Sequence, residues 1–185
     1  MRVFLNAGHA PDGNPDPGAC GWELRECDVA ADIGARVKTY LELVGEEVRL
    51  LQSDNLAWES RYMERWDKAV TDEANKWRAD VFVSLHCNAA NGEAHGTETC
   101  VHPCSARGKR LGNCIQRQIV DSLDTTDRGL KERPELIVLR ATDMPAVLVE
   151  LAFIDNDEDA ELLMTRQDDF ARAIARGVTD YEQML

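Results

Sequence analysis

The segment Ala146-Val147-Leu148-Val149-Glu150-Leu151 decides the fold, because it is apolar at every position except Glu150 and contains neither Gly nor Pro. A run of this kind is typical of a strand in a parallel sheet, where helices cover both faces and the strand is buried on each side. Shorter runs at Val3–Leu5 and Val81–Leu85 have the same character. The sequence therefore predicts a central strand at 146–151 within a largely parallel sheet.

Further strands and helices alternate along the rest of the chain. The predicted strands are Val3–Leu5, Val48–Leu51, Val81–Leu85, Thr97–Val101, Leu136–Leu139 and Ala146–Leu151. Apolar residues at helical spacing predict helices at 26–44, Trp58–Trp77, Leu111–Leu123, Asp157–Met164 and Asp168–Met184. Alternation of this kind indicates an α/β fold: a single domain over residues 1–185 with a mostly parallel, mixed central sheet of about six strands and helices on both faces.

The connection after the first predicted strand differs in composition from everything around it. From Ala10 to Gly21 it is rich in Gly and Pro, which disfavour both helix and strand. We expect a surface loop there, beside His9, and loops of this kind often shape binding sites.

The composition excludes several classes of function. The chain has 185 residues, with 21 Lys and Arg against 34 Asp and Glu, which gives a formal net charge of -13. Such acidity disfavours non-specific binding to nucleic acid or to an anionic membrane. No apolar run reaches the roughly 20 residues of a membrane span, and Met1–Leu5 is too short for a signal-peptide core. We therefore expect synthesis in the cytoplasm without a signal peptide, and we expect no insertion into a membrane. The sequence does not specify an oligomeric state.

Polar residues of metal-binding type lie at or just after the carboxyl ends of three predicted strands. His9, His86 and Glu150 lie at the carboxyl ends of strands, where ligands bind in open α/β sheets. Glu26 begins the first predicted helix, and Glu23 nearby is an alternative carboxylate. Two imidazoles and one carboxylate are typical of a catalytic zinc site, and a second carboxylate can move protons.

The cysteines allow two other hypotheses. Cys100, His102, Cys104 and Cys114 could be drawn as a second metal site, although small buried thiols explain them as well. A nucleophilic Cys20 or Cys87 with a histidine base would make a cysteine enzyme. We expect all six cysteines to be reduced thiols, and His95 and His102 to be structural or surface residues.

Six motifs in order resemble the zinc-dependent N-acetylmuramoyl-L-alanine amidases of bacterial and phage cell-wall hydrolysis. The resemblance runs from residue 3 to about residue 180. The motifs are Gly8-His9, the loop at 18–21, the helix start at 26–29, the strand at 82–89, Asp127-Arg128-Gly129-Leu130-Lys131, and the segment Met144–Phe153.

The resemblance implies specific roles for the four residues. It implies one Zn²⁺ held by His9, Glu26 and His86, with Glu150 as the catalytic acid and base. The implied reaction is hydrolysis of the amide bond between N-acetylmuramic acid and L-alanine of peptidoglycan. A non-catalytic wall-binding module with the same fold is the competing hypothesis.

Four further residues are candidate substrate contacts. Asn88 and Asn156 could donate hydrogen bonds to substrate carbonyls, and Arg140, together with Thr142, could reach a carboxylate of the stem peptide. The resemblance to stand-alone catalytic domains implies an endolysin-like protein, with no separate wall-binding domain, that acts on the cell wall after phage-type release. An amidase acting on recycled wall fragments is the alternative hypothesis.

Overall fold

The computed structural model describes residues 1–57 and 69–185 and shows one α/β domain. Six strands form the main sheet and two more form a small hairpin. The main strands are β1 (Arg2–Ala7), β4 (Glu47–Gln52), β5 (Val81–Asn88), β6 (Thr97–Val101), β7 (Asp127–Glu132) and β8 (Ala146–Phe153), and the hairpin strands are β2 (Cys20–Gly21) and β3 (Leu24–Arg25). The helices are α1 (Glu26–Leu43), α2 (Val70–Trp77), α3 (Ala106–Leu123), α4 (Ile137–Arg140), α5 (Asp157–Thr165) and α6 (Gln167–Glu182).

The sheet is mixed, with parallel pairing predominating. Its strand order is β4-β1-β5-β8-β6-β7. The strands β4, β1, β5 and β8 pair in parallel, β6 runs antiparallel to β8, and β7 is parallel to β6. The predicted fold class is therefore confirmed, including the central position of the apolar strand β8.

Two hydrophobic cores cover the two faces of the sheet. The larger core joins α1, α3 and α6 to the face that carries Val83, Leu85, Val147 and Val149. The smaller core joins α2 and α4 to the opposite face, through residues that include Phe4, Phe82 and Leu148. Helices thus lie on both faces, as the sequence predicts.

The smaller core ends partway along the strands, and polar residues continue the same face. Side chains alternate between faces along a strand, so residues an even number of positions beyond Phe4, Phe82 and Leu148 share their side of the sheet. Those residues are Asn6, Ser84, His86, Asn88 and Glu150. The carboxyl half of this face therefore presents polar side chains, whereas its amino half is covered by the smaller core.

Some predicted elements were wrong. The run at 136–139 was predicted as a strand, but residues 137–140 form the helical turn α4, whose buried Val138 and Leu139 join the smaller core. The sixth strand of the sheet is instead β7, whose segment Asp127–Glu132 has little apolar character. A four-residue apolar run does not distinguish strand from helix by periodicity, and an edge strand pairs mainly through its backbone.

Smaller differences concern the loop and the second helix. Within the Gly- and Pro-rich loop, Pro11–Gly13 forms a 3-10 turn and Cys20–Gly21 pairs with Leu24–Arg25. Of the helix predicted at 58–77, residues 58–68 lie outside the described residues, and the described part is α2. Among the described helices, none combines the length and the apolar character that crossing a membrane requires.

Candidate metal centre and active site

His9 is held by the loop that follows β1. Its backbone lies in the left-handed region, with φ of 67°, which turns the chain sharply after Gly8. The imidazole Nδ1 donates to Asp16 Oδ2 at 2.7 Å, and Asp16 Oδ1 accepts from the backbone N–H of Gly18 at 3.0 Å. A carboxylate on the outer nitrogen of a metal-binding histidine fixes the orientation of the ring.

Glu26 is the first residue of α1, where the positive end of the helix dipole favours a carboxylate. It is 3% exposed. Its Oε2 accepts from the backbone N–H of Ala19 at 2.8 Å, and its Oε1 accepts from the backbone N–H of Cys87 at 2.9 Å. The carboxylate is therefore fixed between the loop and β5.

Both histidines converge on this carboxylate. His9 Nε2 lies 2.9 Å and His86 Nδ1 lies 2.8 Å from Glu26 Oε1. The two rings meet edge to face, with centroids 5.0 Å apart. One ligand atom from each of the three residues lies within 4.8 Å of the others, and within residues 1–57 and 69–185 this is the one such group of His, Cys, Asp and Glu that could hold a metal ion.

Two glycines leave room for these ligands. A Cβ at Gly8 would lie 2.4 Å from His86 Cε1, and a Cβ at Gly18 would lie 2.5 Å from Glu26 Oε2 and 2.6 Å from His9 Cδ2. Real Cβ atoms do not approach so closely, so any side chain at Gly8 or Gly18 would displace a ligand. The Gly8-His9 motif therefore has a steric explanation.

The charges of the metal-free group are coupled. Burial opposes a charged imidazole at His9, but hydrogen bonds to Glu26 and Asp16 outweigh it and raise the pKa of His9 to about 9. Burial likewise opposes the charge on Glu26, but hydrogen bonds from His86 and His9 hold the pKa of that carboxyl well below its usual range. Without a metal, the site is an ion pair between His9 and Glu26.

Glu150 faces the group from the next strand. It pairs with His86 in the parallel register of β5 and β8, and with Glu98 in the antiparallel register of β6 and β8. Its Oε2 is buried and has no hydrogen-bond partner among the described residues. Burial raises the pKa of Glu150 to about 7, with Glu26 and Glu98 adding to the effect and His86 opposing it. A buried carboxyl with a pKa near neutrality is suited to taking up and releasing a proton.

Asp16 and Glu98 lie at the site but are not among the residues that the sequence predicts for it. Glu98 is buried and accepts from Asn88 Nδ2 at 3.1 Å and from Arg128 Nε at 2.8 Å, so its charge is compensated beside Glu150. An acidic residue in the loop after His9 was the available signal for Asp16. Glu98 gave none, because a single carboxylate within a short strand is usually a solvent-facing residue, whereas here the whole of β6 is buried.

The remaining candidates lie in different places. Glu23 is exposed in the hairpin turn, so Glu26 is the carboxylate that joins the histidines. Asn88 is on the same face as His86 but donates to Glu98. Asn156 is buried, caps α5 by accepting from the N–H of Asp159, and donates to Gly92 O. Both side-chain polar atoms of Asn156 are thus used within the fold.

Arg140 lies away from the group. It is exposed at the end of α4 and, with Thr142 and His102, lines a cavity of about 440 Å³ next to Pro145. Pro145 precedes Glu150 by five residues of extended chain, roughly 16 Å at the rise of a β-strand. The structure therefore does not bring Arg140 together with the other candidates.

The cysteines do not form a competing site within the described residues. All six are free, as predicted, and Cys100 and Cys114 are buried whereas Cys104 is exposed. Burial raises the pKa of the Cys87 thiol well above its usual value, which disfavours a thiolate nucleophile. Cys20 is exposed, and its Sγ lies 3.7 Å from Gly18 O.

The fold and the site together define an α/β protein with a candidate metal-dependent hydrolytic centre at the carboxyl edge of its sheet. The chain belongs to the N-acetylmuramoyl-L-alanine amidase family, which matches it over residues 3–180.

Two sequence relatives and one solved structure show how similar the chain is to individual proteins. The sporulation-specific N-acetylmuramoyl-L-alanine amidase of Bacillus subtilis is 34% identical over 178 residues, covering 96% of this chain and 65% of that protein. The endolysin of Bacillus phage SPP1 is 35% identical over 181 residues, covering 95% of this chain and 62% of that protein. The structure of N-acetylmuramoyl-L-alanine amidase AmiC2 of Nostoc punctiforme superposes with a TM-score of 0.83 at 29% identity, covering 99% of this chain and 97% of that one. The chain thus spans less than two thirds of both sequence relatives.

Proposed function

We propose that this chain is a zinc-dependent N-acetylmuramoyl-L-alanine amidase that hydrolyses the amide bond between N-acetylmuramic acid and L-alanine in peptidoglycan. The observation that carries the proposal is the convergence of His9, Glu26 and His86 beside Glu150, whose Oε2 has no hydrogen-bond partner in the described part of the chain. Membership of the amidase family supports the substrate. We also propose that residues 1–185 act as one catalytic domain and that the cell wall is the place of action, which the names of the two relatives support.

The residues present suit zinc. Two imidazoles and one carboxylate form a common catalytic zinc set that leaves a coordination position open, and Asp16 supplies the outer hydrogen bond to His9. His9, Glu26 and His86 would hold the ion. Bound zinc supplies two effects: it lowers the pKa of a water molecule and polarises a carbonyl oxygen.

Glu150 would move the proton. Its carboxylate accepts a proton from the attacking water and then donates it to the nitrogen of L-alanine as the amide bond breaks. In the metal-free protein burial raises the pKa of Glu150 to about 7, so this carboxyl is able to hold a proton near neutral pH, which supports the role. Next to Glu150, the negative charge of Glu98 is neutralised by the guanidinium of Arg128.

The proposal is tested on purified cell walls by measuring newly exposed amino groups of L-alanine, with and without a zinc chelator. We expect release that chelation abolishes and that thiol alkylation does not affect. Absence of release by the zinc-loaded protein would refute the amidase function. Release that survives chelation but not alkylation would favour a cysteine enzyme.

Two variants separate metal binding from proton transfer. Glu150→Gln keeps the size of the side chain but cannot exchange a proton, so we expect it to bind zinc and to lose at least about 100-fold in turnover. His86→Ala removes a ligand, so we expect it to lose zinc. Metal analysis that finds a full zinc content in His86→Ala would contradict the assignment.

A further inference from the structure

The hairpin next to the metal centre carries an exposed tryptophan at its tip. Cys20 pairs with Arg25 and Gly21 pairs with Leu24, which leaves Trp22 and Glu23 as a two-residue turn. Trp22 is 55% exposed, one of the few large apolar side chains among the described residues that face solvent. The hairpin therefore presents an indole ring to the surroundings.

The turn geometry does not explain the tryptophan. Trp22 and Glu23 both have positive φ, at 52° and 63°. Two-residue turns with both central residues in this region favour Asn-Gly, and a bulky residue there is unusual. Because neither the backbone conformation nor burial favours Trp at this position, its side chain has another use.

The hairpin is held firmly against the sheet. A Cβ at Gly21 would lie 2.4 Å from the carbonyl oxygen of Ile154, directly after β8. Leu24 packs against the larger core from the other strand of the hairpin. The base of the turn is therefore fixed, and the ring of Trp22 is presented from a rigid support.

The same hairpin leads directly into the metal-binding group. The backbone N–H of Glu26 donates to Ala19 O at 2.9 Å, and the N–H of Ala19 donates to Glu26 Oε2 at 2.8 Å. Trp22 precedes Glu26 by four residues, so their Cα atoms are at most about 14 Å apart. Trp22 therefore lies at the margin of the centre where the amide bond would be cleaved.

We propose that Trp22 is a stacking platform for a pyranose ring of the glycan strand. This inference rests on the proposed function, in which the amide bond is attached through the lactyl group to N-acetylmuramic acid, so a sugar ring must lie close to the metal. The apolar C–H face of a pyranose packs on an aromatic face, and Trp offers the largest such surface. Stacking also needs no attraction between charges, which suits a chain with a net charge of -13.

The test uses a variant that suits the turn better than the natural sequence. Trp22→Asn combined with Glu23→Gly places Asn-Gly in the turn, so the hairpin is preserved while the ring is removed. We expect an unchanged or higher melting temperature, a KM for peptidoglycan raised about tenfold and a kcat changed less than twofold. The single variant Trp22→Tyr, which keeps an aromatic ring, should retain most of the wild-type affinity for peptidoglycan. Leu43→Asn is the matched control, because Leu43 is 76% exposed at the far end of α1.

Calorimetric binding of peptide-free glycan strands to the zinc-loaded protein gives a readout that needs no turnover. We expect binding by the wild type and by Leu43→Asn, and about tenfold weaker binding by the double variant. Equal glycan affinity of the wild type and the double variant would overturn the proposal, as would an equal loss in Leu43→Asn. Failure of the amidase function is seen separately, as absence of L-alanine amino groups released by the wild type.

Discussion

Replacement of Gly8 by Ala tests the steric basis of the metal site. The new Cβ would lie 2.4 Å from His86 Cε1 and 2.7 Å from both ring nitrogens. Ordinary contact begins at 3.4 Å, so the imidazole must move by about 1 Å. Metal–ligand distances tolerate only about 0.2 Å, so a shift of that size removes His86 from its place in the group.

We expect a large loss of zinc binding together with a moderate loss of fold stability. Disturbing an outer partner of a zinc ligand already costs about 10- to 100-fold in affinity, so displacing a ligand should cost at least about 100-fold. Gly8 does not have a positive φ and the His86 side chain is 17% exposed, so the ring can move outward without breaking the core. Moving the ring also weakens its hydrogen bond to the buried Oε1 of Glu26, so the free energy of unfolding of the metal-free protein should fall by about 1–3 kcal/mol.

The assay is competition for zinc with a chromophoric chelator, together with thermal unfolding of the metal-free protein. Gly34→Ala is the matched control, because its Cβ would come closer than ordinary contact only to Leu50 Cδ1, at 3.1 Å, which is the flexible end of a side chain, and would touch no metal ligand. Gly34→Ala should bind zinc as the wild type does. Wild-type zinc affinity in Gly8→Ala would refute the argument that Gly8 provides the space for His86.

Two further predictions concern pH and packing. The pKa of His9 is raised to about 9 in the metal-free protein, so below that pH zinc must displace a proton, and apparent affinity should rise about 100-fold between pH 7 and pH 9. Competition titrations across this range measure how the apparent zinc affinity depends on pH. In Asp16→Asn the rise in affinity should occur at lower pH. A wild-type affinity that does not change with pH would show that His9 is not protonated. Gly177→Ala should lower the free energy of unfolding by about 1–3 kcal/mol, because its Cβ would lie 2.5 Å from Ile115 Cα and push α6 away from α3. Urea denaturation measures this effect, and an unchanged midpoint would mean that the two helices can separate at no cost.

Several features of the fold could be predicted from the sequence because they depend on local pattern. The segment of β8, apolar at every position except Glu150, identified a central strand, and helical spacing identified α1, α3, α5 and α6. Prediction failed where the pattern was short or weak. The apolar run at 136–139 has no periodicity that separates strand from helix, and β7 is an edge strand whose polar residues give no strand signal.

The candidate site likewise has some features that the sequence predicts and others that only the folded chain determines. The sequence by itself determined the residue types that could hold a metal and the strands that place His86 and Glu150 at one edge. Only the tertiary structure decided that Glu26, rather than Glu23, meets the histidines, because this depends on how the loop after β1 folds back on β5. The neutral-range pKa of Glu150 likewise arises from burial beside Glu26 and Glu98, which come from distant parts of the chain. Chemical identity is a property of single residues, whereas distance, burial and electrostatic coupling exist only after the chain has folded.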